Sequence, residues 1–284
     1  MSTTPIKKKK RPAAKKPKYL PLIAGLAVVW VLAAAVVFLR SALTEDPEPT
    51  ATSETTTAPT LPPNPYTPAD FVYDENGYMT CAAGACRLGI DVSDHQLQID
   101  WPQVADAGVE FAFVRIGYRG YTQGQIYADE SAAANLTGAK AAGLDVGAYF
   151  YSQALNEQEA AEEAAFCIEL LKEYEIDLPV VFDWEYVSTD ARTGAMDAAT
   201  LTACAKAFCE AIEAAGYEAM IYANPDISRN MLDMFQLQDY SFWLAMYSDT
   251  MNYRDKVDYW QYTCTGTVPG IETNVDINLQ LIYD

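Results

Sequence analysis

The stretch Leu178-Pro179-Val180-Val181-Phe182-Asp183-Trp184-Glu185 is a short apolar run that ends in two carboxylates. Its length and composition predict a buried strand. Residues two apart on a strand point to the same face. Asp183 and Glu185 should therefore project together from one strand end, with Trp184 turned away. Read alone, the pair also fits two solvated acids ahead of a helix. Paired carboxylates with divergent environments are equally the acid–base machinery of glycoside hydrolysis.

Around this run the pattern is regular. Strand-like segments recur at Leu88–Val92, Phe111–Gly117, Leu144–Tyr151, Leu178–Trp184, Tyr217–Tyr222, Phe242–Tyr247, Val257–Tyr262 and Val275–Leu279. Helical stretches fall between the early ones, at Trp101–Ala107, Asp129–Ala142, Glu157–Glu175 and Ala198–Ala215, with a shorter one near Asp226–Phe235. Gly108, Gly143 and Gly216 sit where left-handed helix ends are wanted. Strand–helix alternation predicts a parallel sheet, and this number of runs predicts closure. The last three connections are too short for full helices. The expected fold is α/β, an irregular (β/α) barrel with eight strands and fewer than eight helices.

The charge is divided unevenly along the chain. Nine of the 19 Lys and Arg lie at or before Arg40, and no acid precedes Glu45. The remainder holds ten Lys or Arg against 39 Asp or Glu, a net charge of −29. A domain so acidic has no basic footprint for nucleic acid. A single His argues against a zinc hydrolase, and no metal or cofactor is expected.

Residues 1–18 read as a basic cytoplasmic tail. Tyr19–Leu39 is 21 residues without a charge, enough helix for a hydrocarbon layer of about 30 Å. With the basic tail before it, residues 19–39 are expected to be an uncleaved transmembrane signal anchor with the N-terminus cytoplasmic. A cleaved signal peptide would need a shorter apolar core. Residues 40–80 read as a Thr/Pro-rich extracytoplasmic linker, and 81–284 as the barrel. Outside the membrane, a Cys81–Cys86 disulfide loop is expected, with two free thiols as the alternative; Cys167–Cys204 is a second candidate bridge.

Active sites of such barrels lie at the C-terminal ends of the strands. The segment ends there supply Asp91, Asp183, Glu185 and Asp276, ringed by Tyr149, Tyr151, Tyr222, Trp243, Tyr247 and Gln261. Flat aromatic faces pack on sugar rings, and acids and amides bond hydroxyls. Any one aromatic also fits simple barrel packing. Four interior acids at strand ends are costly unless used or paired, and Arg115 is a candidate partner for one of them.

Gly89-Ile90-Asp91-Val92-Ser93, Ile99-Asp100-Trp101, Phe113-Val114-Arg115-Ile116-Gly117-Tyr118-Arg119-Gly120, Tyr149-Phe150-Tyr151-Ser152, Pro179–Glu185, Trp260-Gln261-Tyr262 and Val275-Asp276-Ile277-Asn278 together resemble glycoside hydrolase family 25, lysozymes that act as N-acetylmuramidases. The resemblance covers about residues 87–284, in order. It implies an eight-stranded β/α barrel and cleavage of the β-1,4 bond after N-acetylmuramic acid in peptidoglycan glycan strands. It implies Glu185 as the general acid, with Asp183, Asp91 and Asp276 as the other active-site acids. Tyr149, Tyr151, Tyr222, Trp243, Tyr247 and Gln261 match positions near the substrate. His95 stands where the family varies; a loop-packing role is expected for it, with substrate contact at the barrel mouth as the alternative. The second reacting group is either Asp183 or the substrate's own acetamido group oriented by Asp183.

Three other readings fit the sequence less well. A chitinase of the D-x-x-D-x-D-x-E type would need acids where Leu178 and Val181 stand. A tethered, non-catalytic glycan-binding module would lack one of the four acids, and all are present. A carboxylate-based metal hydrolase conflicts with the scarcity of His. A membrane tether on a long spacer favours local remodelling of the cell's own wall.

Overall fold

The structure is a computed structural model that describes residues 60–283. The basic tail, the apolar span 19–39 and the linker through residue 59 lie outside the described residues. Among the described residues, no helix is long and apolar enough to cross a membrane.

Among the described residues, eleven strands and five α-helices follow in the order β1 (Phe71–Tyr73), β2 (Met79–Cys81), β3 (Cys86–Val92), α1 (Trp101–Asp106), β4 (Phe111–Arg119), β5 (Ile126–Ala128), α2 (Ala132–Ala141), β6 (Asp145–Ser152), α3 (Glu157–Leu171), β7 (Val180–Trp184), α4 (Ala198–Ala214), β8 (Ala219–Ala223), α5 (Pro225–Asn230), β9 (Ser241–Ala245), β10 (Tyr259–Gly266) and β11 (Val275–Leu281). The main sheet runs β3-β11-β10-β9-β8-β7-β6-β4, and β3 pairs again with β4. That closes an eight-stranded barrel, the expected architecture. All neighbouring pairs around it are parallel except the two made by β11. β9 and β10 are joined without a helix, as are β10 and β11.

The period-2 alternation of each strand sorts its side chains between two cores. Val180, Phe182 and Trp184 of β7 face outward, into the shell shared with the helices. Val181 faces the barrel interior with Phe111, Phe113, Met220, Tyr222, Trp243 and Tyr259. The floor of the interior is aromatic: Phe113 stacks on Trp243 with centroids 4.8 Å apart, and Tyr259 meets Phe111 and Phe113 edge-on. Two glycines make room for it. A Cβ on Gly89 would lie 2.2 Å from the Phe111 ring, and one on Gly147 would lie 2.4 Å from Phe113.

The helices start on side-chain caps. Asn156 accepts from the Glu159 amide at the start of α3, and Asp197 from the Thr200 amide at the start of α4. Gly108, Gly143 and Gly216 end α1, α2 and α4 with φ near +90°, as the sequence predicts.

Two expectations need correction. Residues 60–80, within the expected linker, pack on the barrel instead. Asn64 bonds the Tyr253 carbonyl, Pro63 bridges Asp255, and Phe71 meets the Trp260 ring edge-on at 5.0 Å. β1 and β2 form a small hairpin there. Strands of three residues are too short to show a period. Second, all six cysteines are free thiols. The Cys86 sulfur accepts a hydrogen bond from the Cys81 amide rather than bonding its sulfur. Cys167 and Cys204 are separately buried in α3 and α4.

Candidate active site

All ten residues singled out from sequence line one pit of about 210 Å³ at the barrel mouth. Asp183 lies across from Tyr151 on β6 and Tyr222 on β8, and Tyr222 lies across from Trp243 on β9. Glu185 sits just past the end of β7, half-buried. Asp276 reaches the mouth because β11 runs antiparallel: its first residues, not its last, lie beside the ends of the other strands. There Asp276 is paired directly with Asp91 on β3.

A continuous polar relay holds Asp91. Its Oδ1 accepts from Gln261 Nε2 and from Asn278 Nδ2, each at 2.8 Å. Trp243 Nε1 donates to Asn278 Oδ1 at 2.8 Å. The Tyr222 and Tyr247 hydroxyls both donate to Gln261 Oε1, at 3.0 and 3.1 Å. Gln261, Asn278 and Trp243 are buried, so their rotamers are set by this network. Asn278 was not among the sequence candidates. Its spacing of two from Asp276 on a strand was the available signal.

Arg115 hydrogen-bonds none of the four acids, although its charge lowers Asp183 in part. It donates to Asp129 Oδ2 at 2.7 Å and to Asp94 Oδ1 at 2.6 Å instead. The acids therefore face burial and each other. Burial, then the neighbouring Asp276 carboxyl, drives the Asp91 pKa well above the ordinary range, against the two amide hydrogen bonds. Burial and then Glu185 raise Asp183 likewise. Burial raises Glu185, opposed by the Tyr222 hydroxyl. Burial, with Glu185 adding to it, pushes Asp276 up to about 6. Such a cluster holds its protons to higher pH than ordinary carboxylates do, which favours a general acid. Asp183 Oδ1 is buried and has no hydrogen-bond partner in the protein.

A second buried group supports Glu185 from behind. Gln153, fully buried, donates from Nε2 to the Glu185 carbonyl at 3.1 Å and accepts from Thr193 Oγ1 at 2.6 Å. The neighbouring Arg192 bonds the Gln153 carbonyl and both carboxylate oxygens of Glu159 on α3. No local motif marks Gln153, because its partners come from loops far along the chain.

His95 departs from its expected packing role. Its side chain is 76% exposed, 3.5 Å from the Asp94 carboxylate, at the rim of the pit. Among the described residues, no group of three or more His, Cys, Asp or Glu side chains is arranged to hold a metal ion.

A closed β/α barrel whose mouth gathers four acids of raised pKa among aromatic rings fits a carboxylate-driven glycosidase. Residues 90–271 match the model of glycosyl hydrolases family 25. The chain belongs to that family and is a glycoside hydrolase. Among relatives, it is 28% identical over 223 residues to the uncharacterized protein YegX of Escherichia coli K12, covering 72% of this chain and 75% of YegX. It is 24% identical over 191 residues to an autolytic lysozyme of Clostridium acetobutylicum, covering 67% of this chain and 54% of that one. Its structure is similar to that of the modular autolysin LytC of Streptococcus pneumoniae, solved with a synthetic peptidoglycan ligand, with a TM-score of 0.62 and 25% identity. That likeness covers 74% of this chain and 49% of LytC, so the chain spans about half the length of LytC.

Proposed function

We propose that this chain is an N-acetylmuramidase that cleaves the β-1,4 bond between N-acetylmuramic acid and N-acetylglucosamine in peptidoglycan. The observation that carries the reading is the cluster of Asp91, Asp183, Glu185 and Asp276, gathered at the barrel mouth with no cation among their hydrogen-bonded partners. The peptidoglycan ligand of LytC and the lysozyme name of the clostridial relative support the same substrate.

In this mechanism Glu185 gives its proton to the leaving glycosidic oxygen. The substrate's acetamido oxygen attacks the anomeric carbon as that bond breaks. The unpartnered Asp183 Oδ1 accepts the acetamido N–H and aims the group. Water, deprotonated by the Glu185 carboxylate, then opens the bicyclic intermediate and restores the acid. Two displacements give net retention. Asp91 and Asp276, as like charges nearby, keep the cluster's protonation high.

The same reading places the barrel on the wall side of a bacterial membrane. Residues 19–39 are the tether, residues 1–18 are cytoplasmic, and the task is local remodelling of the cell's own wall. The apolar span and the preceding basic run support this topology. Reporter fusions at each end of the full-length chain test it; a cytoplasmic C-terminal reporter would refute it.

Digestion of purified peptidoglycan by the full-length protein, with mass spectrometry of borohydride-reduced products, tests the activity. Fragments ending in reduced muramic acid, absent with Glu185→Gln, are expected. Fragments ending in reduced glucosamine would overturn the bond assignment. Wall binding without fragments would leave a glycan-binding module.

A further inference from the structure

The β1–β2 hairpin and the residues before it precede the part of the chain matched by the family model, which begins at residue 90. Several of their contacts converge on β10 and on the connection from β9 to β10, residues 246–258. β10 serves two sides at once, because its side chains alternate. Gln261 lines the pit, while Trp260 and Tyr262 belong to the outer core. Phe71 meets Trp260 edge-on, and the Met79 amide donates to the Tyr262 hydroxyl at 3.2 Å. Tyr73 stands edge-on to Tyr262 with centroids 6.5 Å apart.

The same two aromatic residues of β10 hold the start of the connection. Trp260 Nε1 donates to the Met246 carbonyl at 2.8 Å, and the Ser248 amide donates to the Tyr262 carbonyl at 3.1 Å. Between these anchors stands Tyr247, 56% exposed, whose hydroxyl donates to Gln261 Oε1. Packing alone cannot fix so exposed a ring, so its place depends on the backbone that carries it. Past Ser248 the connection is exposed at Asp249 and Thr250. There the N-terminal segment takes hold. The Tyr73 hydroxyl donates to Asp249 Oδ1 at 2.7 Å, a bond strengthened by the charge of its acceptor. Asn64 Nδ2 donates to the Tyr253 carbonyl and to the Met251 sulfur, each at 3.1 Å. The Tyr73 hydroxyl is pushed up to about 12, chiefly by its bond to Asp249, and so remains a donor at neutral pH.

We propose that Tyr73 is a positioning residue of the active-site mouth: by bonding Asp249 it fixes residues 246–251, so that Tyr247 stands at the pit with its hydroxyl on Gln261. Gln261 in turn donates to Asp91. A contact made by a hairpin outside the barrel thus ends on one of the four acids. Without it, part of the cost of ordering the connection would fall on substrate binding. Its effect on substrate affinity rests on the muramidase reading; its hold on the loop does not.

Two measurements on the full-length protein test the clamp. Hydrogen exchange reads the hold itself. Tyr73→Phe keeps the ring and loses only the hydroxyl, and should speed exchange within residues 246–251 about fivefold, with β6 and β7 unchanged. Initial rates on solubilised peptidoglycan read the consequence. Tyr73→Phe and Asp249→Ala should each raise KM about fivefold and leave kcat within about twofold. Asp249→Asn keeps an acceptor and should stay near wild type. In a Tyr247→Phe background, Tyr73→Phe should change KM by less than about twofold, because the hydroxyl it positions is gone. Unchanged exchange in residues 246–251, or a KM that does not move, overturns the proposal. So does a rise in KM that adds in full to that of Tyr247→Phe, which would make Tyr73 a stabilising contact only. If the wild-type chain turns over no peptidoglycan, the muramidase reading fails, and exchange in residues 246–251 alone decides the clamp.

Discussion

Asp276 on β11 and Asp91 on β3 stand directly opposite each other across an antiparallel pair. Like charges in that position are unfavourable, and burial makes them more so. The barrel accepts this cost only at the mouth, where Gln261 and Asn278 donate to Asp91.

Asp276, raised by burial and then by Glu185, makes stability fall as pH rises. Asp276 titrates near 3.8 when unfolded and at about 6 when folded. Between those values the folded state binds more protons than the unfolded state, so raising pH removes stability. The penalty is absent below the unfolded value and complete above the folded one. Asp276→Asn should flatten the decline in stability between pH 4 and pH 6 and leave the protein more stable at pH 7. Urea midpoints at four pH values measure it; a slope identical to wild type would refute the assignment.

Gln153 should behave as a positioning residue for Glu185, since it holds the carbonyl of that residue and not its carboxyl. Gln153→Leu is expected to lower kcat about a hundredfold with little change in KM, and to move the alkaline limb of the pH–rate profile. An effect confined to KM, or a loss explained by a lowered melting temperature, would count against this role.

The ion pair of Arg119 with Glu163 is buried at both ends, and Ser152 also donates to Glu163. Burial pushes Glu163 up to about 7 despite these partners. Glu163→Ala leaves a buried guanidinium without its carboxylate and should cost about 3–5 kcal/mol in urea unfolding. Glu163→Gln keeps an acceptor and should cost clearly less. Equal costs for the two variants would remove the ion pair from the explanation.

Gly89→Ala should destabilise the barrel by about 1–3 kcal/mol, because its Cβ would enter the Phe111 ring. Phe111→Leu in the same protein should recover part of that loss. Additive costs in the double variant would show that the two residues do not compete for space.

The sequence by itself determined the barrel class and ten of the residues that line the pit. Those readings rest on local periods: Asp183 and Glu185 lie two apart at a strand end, and glycines close α1, α2 and α4. Chain geometry fixes such relations within a few residues. Tertiary structure alone decided which acids meet. β11 runs against its neighbours, so Asp276 enters the mouth from the start of its strand and pairs with Asp91, 185 positions away in sequence. It also brought Gln153 behind Glu185, gave Arg115 to Asp94 and Asp129, and laid residues 60–80 on the barrel. Strand direction, register and side-chain partners are set by closing the sheet on itself, where contacts join residues far apart in the chain. No local spacing carries that information.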